Sequence, residues 1–262
     1  MDWLIPLTLT VITASTPLLL ASAGELITEK SGVLNLGVEG MMLVGAIAGF
    51  AVTASSGSAI LGILAAIVAG ILMSLIFAFL TLTLMANQVA TGLALTIFGV
   101  GFSALVGSGF VGFAIKPLPG LHIPFLTDLP VIGEILFGQD FLVYLSIAAV
   151  IGIGFFLTRT RAGLILKAVG DSHSSAHAIG YSVIKIRYLA TMFGGAMSGL
   201  AGAYLSLSYT PMWAENMTAG RGWIALALVV FATWRPGRLL AGAYMFGMIS
   251  VLQLHAQSAG VH

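Results

Sequence analysis

Few side chains in this sequence can do chemistry, and most of them stand in apolar surroundings. Glu39 follows Asn35 by one helical turn inside Gly32-Val-Leu-Asn-Leu-Gly-Val-Glu-Gly-Met-Met42. A carboxylate in hydrocarbon is costly unless it faces a partner or an aqueous path. Two readings are open: Asn35 and Glu39 line a route for a polar solute and bond its donor groups, or Glu39 is structural, snorkelling or capping a neighbouring helix. Asn87, Gln88 and Thr91 sit where two apolar runs meet. They make either a plain turn, which the orientation below favours, or a broken-helix element of the kind that contacts solutes in transporters. In Tyr209-Thr-Pro-Met-Trp-Ala-Glu-Asn-Met217, Trp213 offers a stacking face and Glu215 or Asn216 an edge-reading group. The alternative there is an interfacial aromatic belt.

His173 and His177 are spaced i, i+4 and share a helix face. No third ligand accompanies them and the segment is positively charged, so contacts at a protein interface are preferred to a metal site. The dipeptide Gly-Lys does not occur, which removes a phosphate-cradling Walker loop. Neither an H-E-x-x-H helix nor a G-x-S-x-G elbow is present. The chain is therefore not expected to be an enzyme, and any ATP hydrolysis must come from another subunit. With no Cys there is no thiolate site, and no cofactor is implied. A formal net charge of +1 gives no footprint for nucleic acid.

These residues must be positioned by apolar elements. Charged residues are 7% of 262 and hydrophobic residues 59%, against roughly 25% charged in soluble domains. Residues 3–24, 40–115, 141–158, 188–214 and 222–234 contain no Asp, Glu, Lys or Arg. Since a spanning helix needs about 20 apolar residues, the fold class is an all-α integral membrane protein, a polytopic bundle of about eight transmembrane helices. The expected helices are 3–23, 33–54, 59–84, 89–111, 141–157, 188–208, 219–234 and 239–256, in one transmembrane domain over 1–262. Ala21-Ser22-Ala23 has the look of a signal cleavage site, but Asp2 and the lack of a basic residue before the run favour a retained first helix.

Basic residues orient the bundle. Arg159, Arg161, Lys167, Lys185 and Arg187 fall in one loop, 158–187, which is expected to be cytoplasmic. Counting spans from it places Lys30, Arg235 and Arg238 on the same side, with Lys116, Arg221 and the N-terminus outside. The outer loop 112–140 holds Pro117, Pro119, Pro124 and Pro130 and is expected to lack a regular helix. The 13 uncharged residues between Arg221 and Arg235 are short for a span. They either borrow residues from 217–220 or form a re-entrant half-helix, after which the chain would change side.

Within the cytoplasmic loop, Asp171 is the expected N-cap and Gly180 the expected stop of a short helix over 172–179. So short a helix needs something to dock against. It is either a coupling helix seated on a cytoplasmic motor or a solvated connector.

Five motifs in order, Gly32 to Met42, Ala86 to Leu95, Arg161 to Gly180, Gly195 to Gly202 and Gly220 to Ala227, resemble permease subunits of bacterial ABC importers. The resemblance is to the branched-chain amino acid and simple-sugar permease superfamily, and within it to the nucleoside and purine branch. It implies a multi-pass protein of the bacterial inner membrane, paired with an identical or related permease. Cytoplasmic ABC ATPases and an extracytoplasmic solute-binding protein are the further implied partners. The implied solute is a nucleoside or nucleobase; a simple sugar or branched-chain amino acid is the alternative, and a self-contained channel or ion-driven carrier a more distant one. The coupling segment is carried over as Arg161, Gly163, Asp171, His173, Ala176, His177 and Gly180, although Asp171-Ser-His173 stands where the family commonly has Glu-Asn-Pro. The resemblance also implies a further hydrophobic segment after the position of His262.

Overall fold

The computed structural model describes residues 4–121, 127 and 132–258; Asp2, Pro124 and Pro130 lie outside the described residues. Helix α1 spans Leu4–Lys30, α2 Val38–Ser56, and α3 Ala59–Ala78, continued by a π-turn over Phe79–Thr83. Then come α4 (Gln88–Gly107), α5 (Ile132–Phe137), α6 (Phe141–Arg159), α7 (Arg161–Asp171) and α8 (His173–Ala178). The chain closes with α9 (Val183–Tyr204, with a π-turn over Leu205–Tyr209), α10 (Arg221–Phe231) and α11 (Pro236–Ser258). Among the described residues there is no strand, only isolated β-bridges.

Among the described residues six helices, α1 to α4, α6 and α11, are long and apolar enough to cross a membrane. The remaining two expected spans are built differently. α9 has 22 residues but is rich in glycine, because its neighbours are other backbones rather than lipid. A Cβ on Gly45 of α2 would lie 2.6 Å from Gly199 Cα, and one on Gly24 of α1 would lie 3.0 Å from the Gly194 carbonyl oxygen. Small residues let the helices approach this closely, and α1, α2 and α3 all pack around α9. α10 has only 11 residues, about 16 Å of helix against a hydrocarbon core of about 30 Å.

Lys30, Arg187 and the turn after α10 meet at one end of the bundle. Arg187 Nε donates to the Ser31 carbonyl at 3.0 Å, Lys30 Nζ stands 6.0 Å over the Trp234 ring, and Trp234 Nε1 donates to Glu29 Oε2. At the far end the 111–121 segment is laced onto the ends of α9 and α6. Ile115 N donates to Pro211 O at 3.1 Å, Leu118 N to Leu207 O at 3.1 Å, and Leu121 N to Gln139 O at 2.9 Å. The stretch 112–140 is not wholly irregular, since α5 forms within it.

Helix α1 runs seven residues past the expected boundary at 23. Leu26, Ile27 and Thr28 are buried, and Glu25 and Glu29 are straight-chain residues that suit a helix interior. The stop is Gly32, in the left-handed region at φ 83°.

Candidate functional site

Two membrane crossings are broken, and their breaks meet. After α1 the chain climbs without helix through 31–37 before α2 begins at Val38. After α9 it descends without helix through 210–220 before α10 begins at Arg221. The two helix starts are joined by Glu39. Its Oε1 accepts from Thr218 Oγ1 at 2.5 Å and Gly220 N at 2.8 Å, and its Oε2 accepts from Gly222 N at 2.6 Å. The open N–H groups of α10 thus take their cap from another helix. The fit is close, because a Cβ on Gly222 would lie 2.6 Å from Glu39 Cα. As Trp234, just past the other end of α10, bonds Glu29 at the basic end, Glu39 lies about one α10 length, or about 16 Å, into the bundle. α10 therefore does not return to the far end. The descent through 210–220 and the half-helix together make one crossing, and α11 leaves from the basic end.

Irregular backbone at membrane depth persists only where its polar groups are satisfied by protein or face an aqueous cavity. Side chains meet that demand here. Asn35 N donates to Glu25 Oε1 at 3.0 Å, Leu34 N to Gln88 Oε1 at 2.9 Å, and Gly37 N to Asn35 Oδ1 at 3.0 Å. Thr96 Oγ1 donates to Leu36 O at 3.0 Å. Asn35 and Glu39 are both buried. The structure thus gives Glu39 the capping role, and Asn35 and Gln88 are braces of the 31–37 segment.

Among the described residues, four of the five non-glycine residues with positive φ flank α10: Asn216 (54°) and Ala219 (46°) before it, Thr233 (50°) and Trp234 (53°) after it. Each such conformation costs of order 1–3 kcal/mol and holds only where its surroundings over-determine it. The half-helix is consequently a short rod between two strained joints, one held by Glu39 and the other by Glu29. Arg221, expected outside, lies beside Gly220 and Gly222 at the depth of Glu39. Its guanidinium donates to Thr218 O at 3.2 Å and stands 5.4 Å over the Tyr209 ring.

Trp213 is not an open stacking face. It is 2% exposed, seated on Gly107 and packed with Ala46, Ile47 and Phe50, and its Nε1 has no hydrogen-bond partner. Glu215 and Asn216 are exposed on the descending segment. Asn87 caps α4, accepting from Ala90 N at 3.0 Å, in a tight turn that includes Met85 at φ 56°. Half-buried Thr91 lines a groove of about 430 Å³ between α4 and the π-turn of α3.

At the basic end α7 buries Gly163, Leu166 and Val169, and Gly163 lies against the Phe156 and Leu157 backbone at the foot of α6. A Cβ on Gly170 would meet the Lys30 and Gly32 backbones, so α7 touches the start of the 31–37 segment. The short helix α8 spans only six residues, and its cap is Ser172, which accepts from Ser175 N at 3.3 Å; Asp171 is the last residue of α7. The stop at Gly180 is as expected, at φ 91°. Ala176 is buried against its own chain and cannot enter a partner's groove, whereas His173 and His177 are exposed. Arg161 is exposed at the start of α7. Among the described residues no group of three or more His, Cys, Asp or Glu side chains is placed to hold a metal.

The model of the family described as branched-chain amino acid transport system / permease component matches residues 7–259. The chain belongs to this family. It is 47% identical over 251 residues to the putative glucose ABC transporter permease protein TsgC13 of Haloferax volcanii, covering 94% of this chain and 76% of that one. It is 32% identical over 250 residues to the guanosine ABC transporter permease protein NupQ of Bacillus subtilis, covering 91% and 78%. With the nucleoside ABC transporter permease protein NupC of Lactococcus lactis it shares 29% over 249 residues, covering 91% and 78%. The chain is thus an ABC-type permease subunit, a multi-pass protein of the cell membrane.

Four framework residues of this permease escape a reading of the sequence. Glu25, wholly buried, and Glu29 lie inside α1 rather than after it. The available signal was Gly32, a helix stop seven residues beyond the first charge. Thr96 and Thr218 carried no signal, because each matters only through a contact distant in sequence.

Proposed function

We propose that this permease is one of two membrane subunits of an ATP-driven importer for a neutral, hydroxyl-rich solute, a hexose or a nucleoside. The observation that carries the proposal is the meeting of two broken crossings at Glu39. There the Glu39 carboxylate already meets three donors in capping α10, so it offers no free acceptor to draw a cationic solute to the junction. The second permease completes the path, an extracytoplasmic binding protein delivers the solute, and two cytoplasmic ATPases supply the energy. The permease itself hydrolyses nothing.

The route for force runs from the exposed face of α8, with His173 and His177, into α7. From α7 it passes through the contact of Gly170 with Lys30 and Gly32 into the 31–37 segment, then through Glu39 into α10. Glu215, Asn216 and Ala219 are exposed on the descending segment, and in this reading the solute meets them ahead of the junction.

The hexose reading takes its weight from the relative named for glucose at 47% identity. The nucleoside reading rests on the two relatives named for guanosine and nucleosides, at 32% and 29%. ATP-dependent uptake of labelled glucose, guanosine and leucine, each offered to proteoliposomes holding the whole assembly, separates them. Uptake of glucose without guanosine assigns the hexose, and uptake of guanosine without glucose assigns the nucleoside. Uptake of leucine with neither of the others overturns the proposal.

A further inference from the structure

Helices α6 and α9 both pack on α1, and between them the side of the bundle carries a groove of about 710 Å³. Its floor is Ile27 of α1, its walls include Phe156 of α6 with Leu189 and Phe193 of α9, and α7 closes one end with Ile165. The lining is apolar, and Leu189 is 57% exposed. Gly152 lines the α6 wall with nothing within 4 Å of where a Cβ would stand. The groove is therefore open sideways, toward lipid.

The mouth at the basic end has a different character. Arg161 immediately precedes the lining residue Ala162, and Lys185 immediately precedes the lining residue Ile186. Each stands one helical turn before a second lining residue, Ile165 and Leu189. Both cations are exposed, and neither has a salt bridge among the described residues. The sole acidic residue of the 158–187 loop is Asp171, at the opposite end of α7. Tyr181 adds a polar tip to the lining at this mouth.

We infer that the groove is a binding site for an anionic phospholipid of the leaflet at the basic end. An acyl chain lies along Leu189 and Phe193, and the phosphate sits between Arg161 and Lys185. The match is in both halves of the ligand: an apolar slot running into the bilayer, and two cations where a headgroup ends. Basic pockets between transmembrane helices are suited to such headgroups. An apolar protein helix would fill the slot but would leave the two cations without a counter-charge. The inference does not depend on which solute is carried. It gives α7, which links α8 to the 31–37 segment, a second attachment in the membrane.

The test is native mass spectrometry of the full chain released from nanodiscs of equal phosphatidylglycerol and phosphatidylcholine. Phosphatidylglycerol is expected to be retained preferentially, and R161Q and K185Q should each lower its retention about fivefold. L189W, which fills an exposed part of the groove, should lower retention of both lipids. Equal retention of the two lipids by wild type, or retention unchanged in R161Q and K185Q, overturns the inference. So does a photo-crosslinking residue at position 193 that captures a polypeptide in place of lipid.

Discussion

Glu39, in the first turn of α2, accepts the backbone N–H of Gly222, in the first turn of α10, at 2.6 Å across 183 residues of sequence. With Gly220 and Thr218 on its other oxygen, the carboxylate meets three donors and needs to be wholly an acceptor. Glu25 is different: one oxygen takes Asn35 N–H and the other has no partner. Glu39→Gln turns an NH₂ group toward N–H donors and should cost about 1.5–3 kcal/mol, the worth of a hydrogen bond to a charged group. Glu25→Gln keeps the acceptor for Asn35 and should leave transport near wild type. Thermal unfolding in nanodiscs and uptake in proteoliposomes check the pair. Equal tolerance of both substitutions would contradict the capping role.

The joints of α10 give a second expectation. Ala219 and Thr233 hold left-handed conformations that glycine adopts without strain. Ala219→Gly and Thr233→Gly should each stabilise the fold by about 1 kcal/mol, read as a raised Tm. If the joints work as hinges, the same variants should also change the uptake rate. A fall in Tm would show that the side chains matter more than the strain.

Trp213 fills space and donates to nothing. Trp213→Phe should therefore keep both fold and solute competition profile, while Trp213→Ala should cost about 3–5 kcal/mol through the cavity it leaves. A competition profile altered in Trp213→Phe would restore the stacking reading.

The α8 cap separates two neighbouring residues. Ser172→Ala should cost about 0.5–2 kcal/mol of helix stability, and Asp171→Ala much less. Ala176→Trp should lower abundance, because the new ring meets this chain's own packing. Exposed His173→Ala and His177→Ala should instead weaken co-purification with the ATPase at normal abundance. Abundance by immunoblot and ATPase recovery distinguish the two patterns.

The long apolar runs made α2, α3, α4, α6 and α11 legible in the sequence, because lipid demands uninterrupted hydrophobicity and little else does. The shortness of α10 was legible too, from the charges at Arg221 and Arg235. What α10 rests on was not, since a cap supplied from 183 residues away leaves no local pattern. The extension of α1 was missed because Glu25 and Glu29 read as the end of a span, although one is wholly buried and the other bonds Trp234. The cap of α8 was displaced by one residue because Asp171 and Ser172 are both good capping types, and the backbone at the end of α7 decides between them. Glu215 and Asn216 are exposed on the 210–220 segment.

In the proposed importer the junction at Glu39 is the point where access alternates. The direct measurement uses the cysteine-free background, with single cysteines at Ala219, Gly120 and Ser174 and membrane-impermeant thiol reagents applied to each side of the reconstituted importer. Gly120 should label from outside alone and Ser174 from the cytoplasmic side alone, in every nucleotide state. Ala219 should label from outside in one nucleotide state and from the cytoplasmic side in the other. Labelling of Ala219 from a single side in all states, or from neither, would contradict the account.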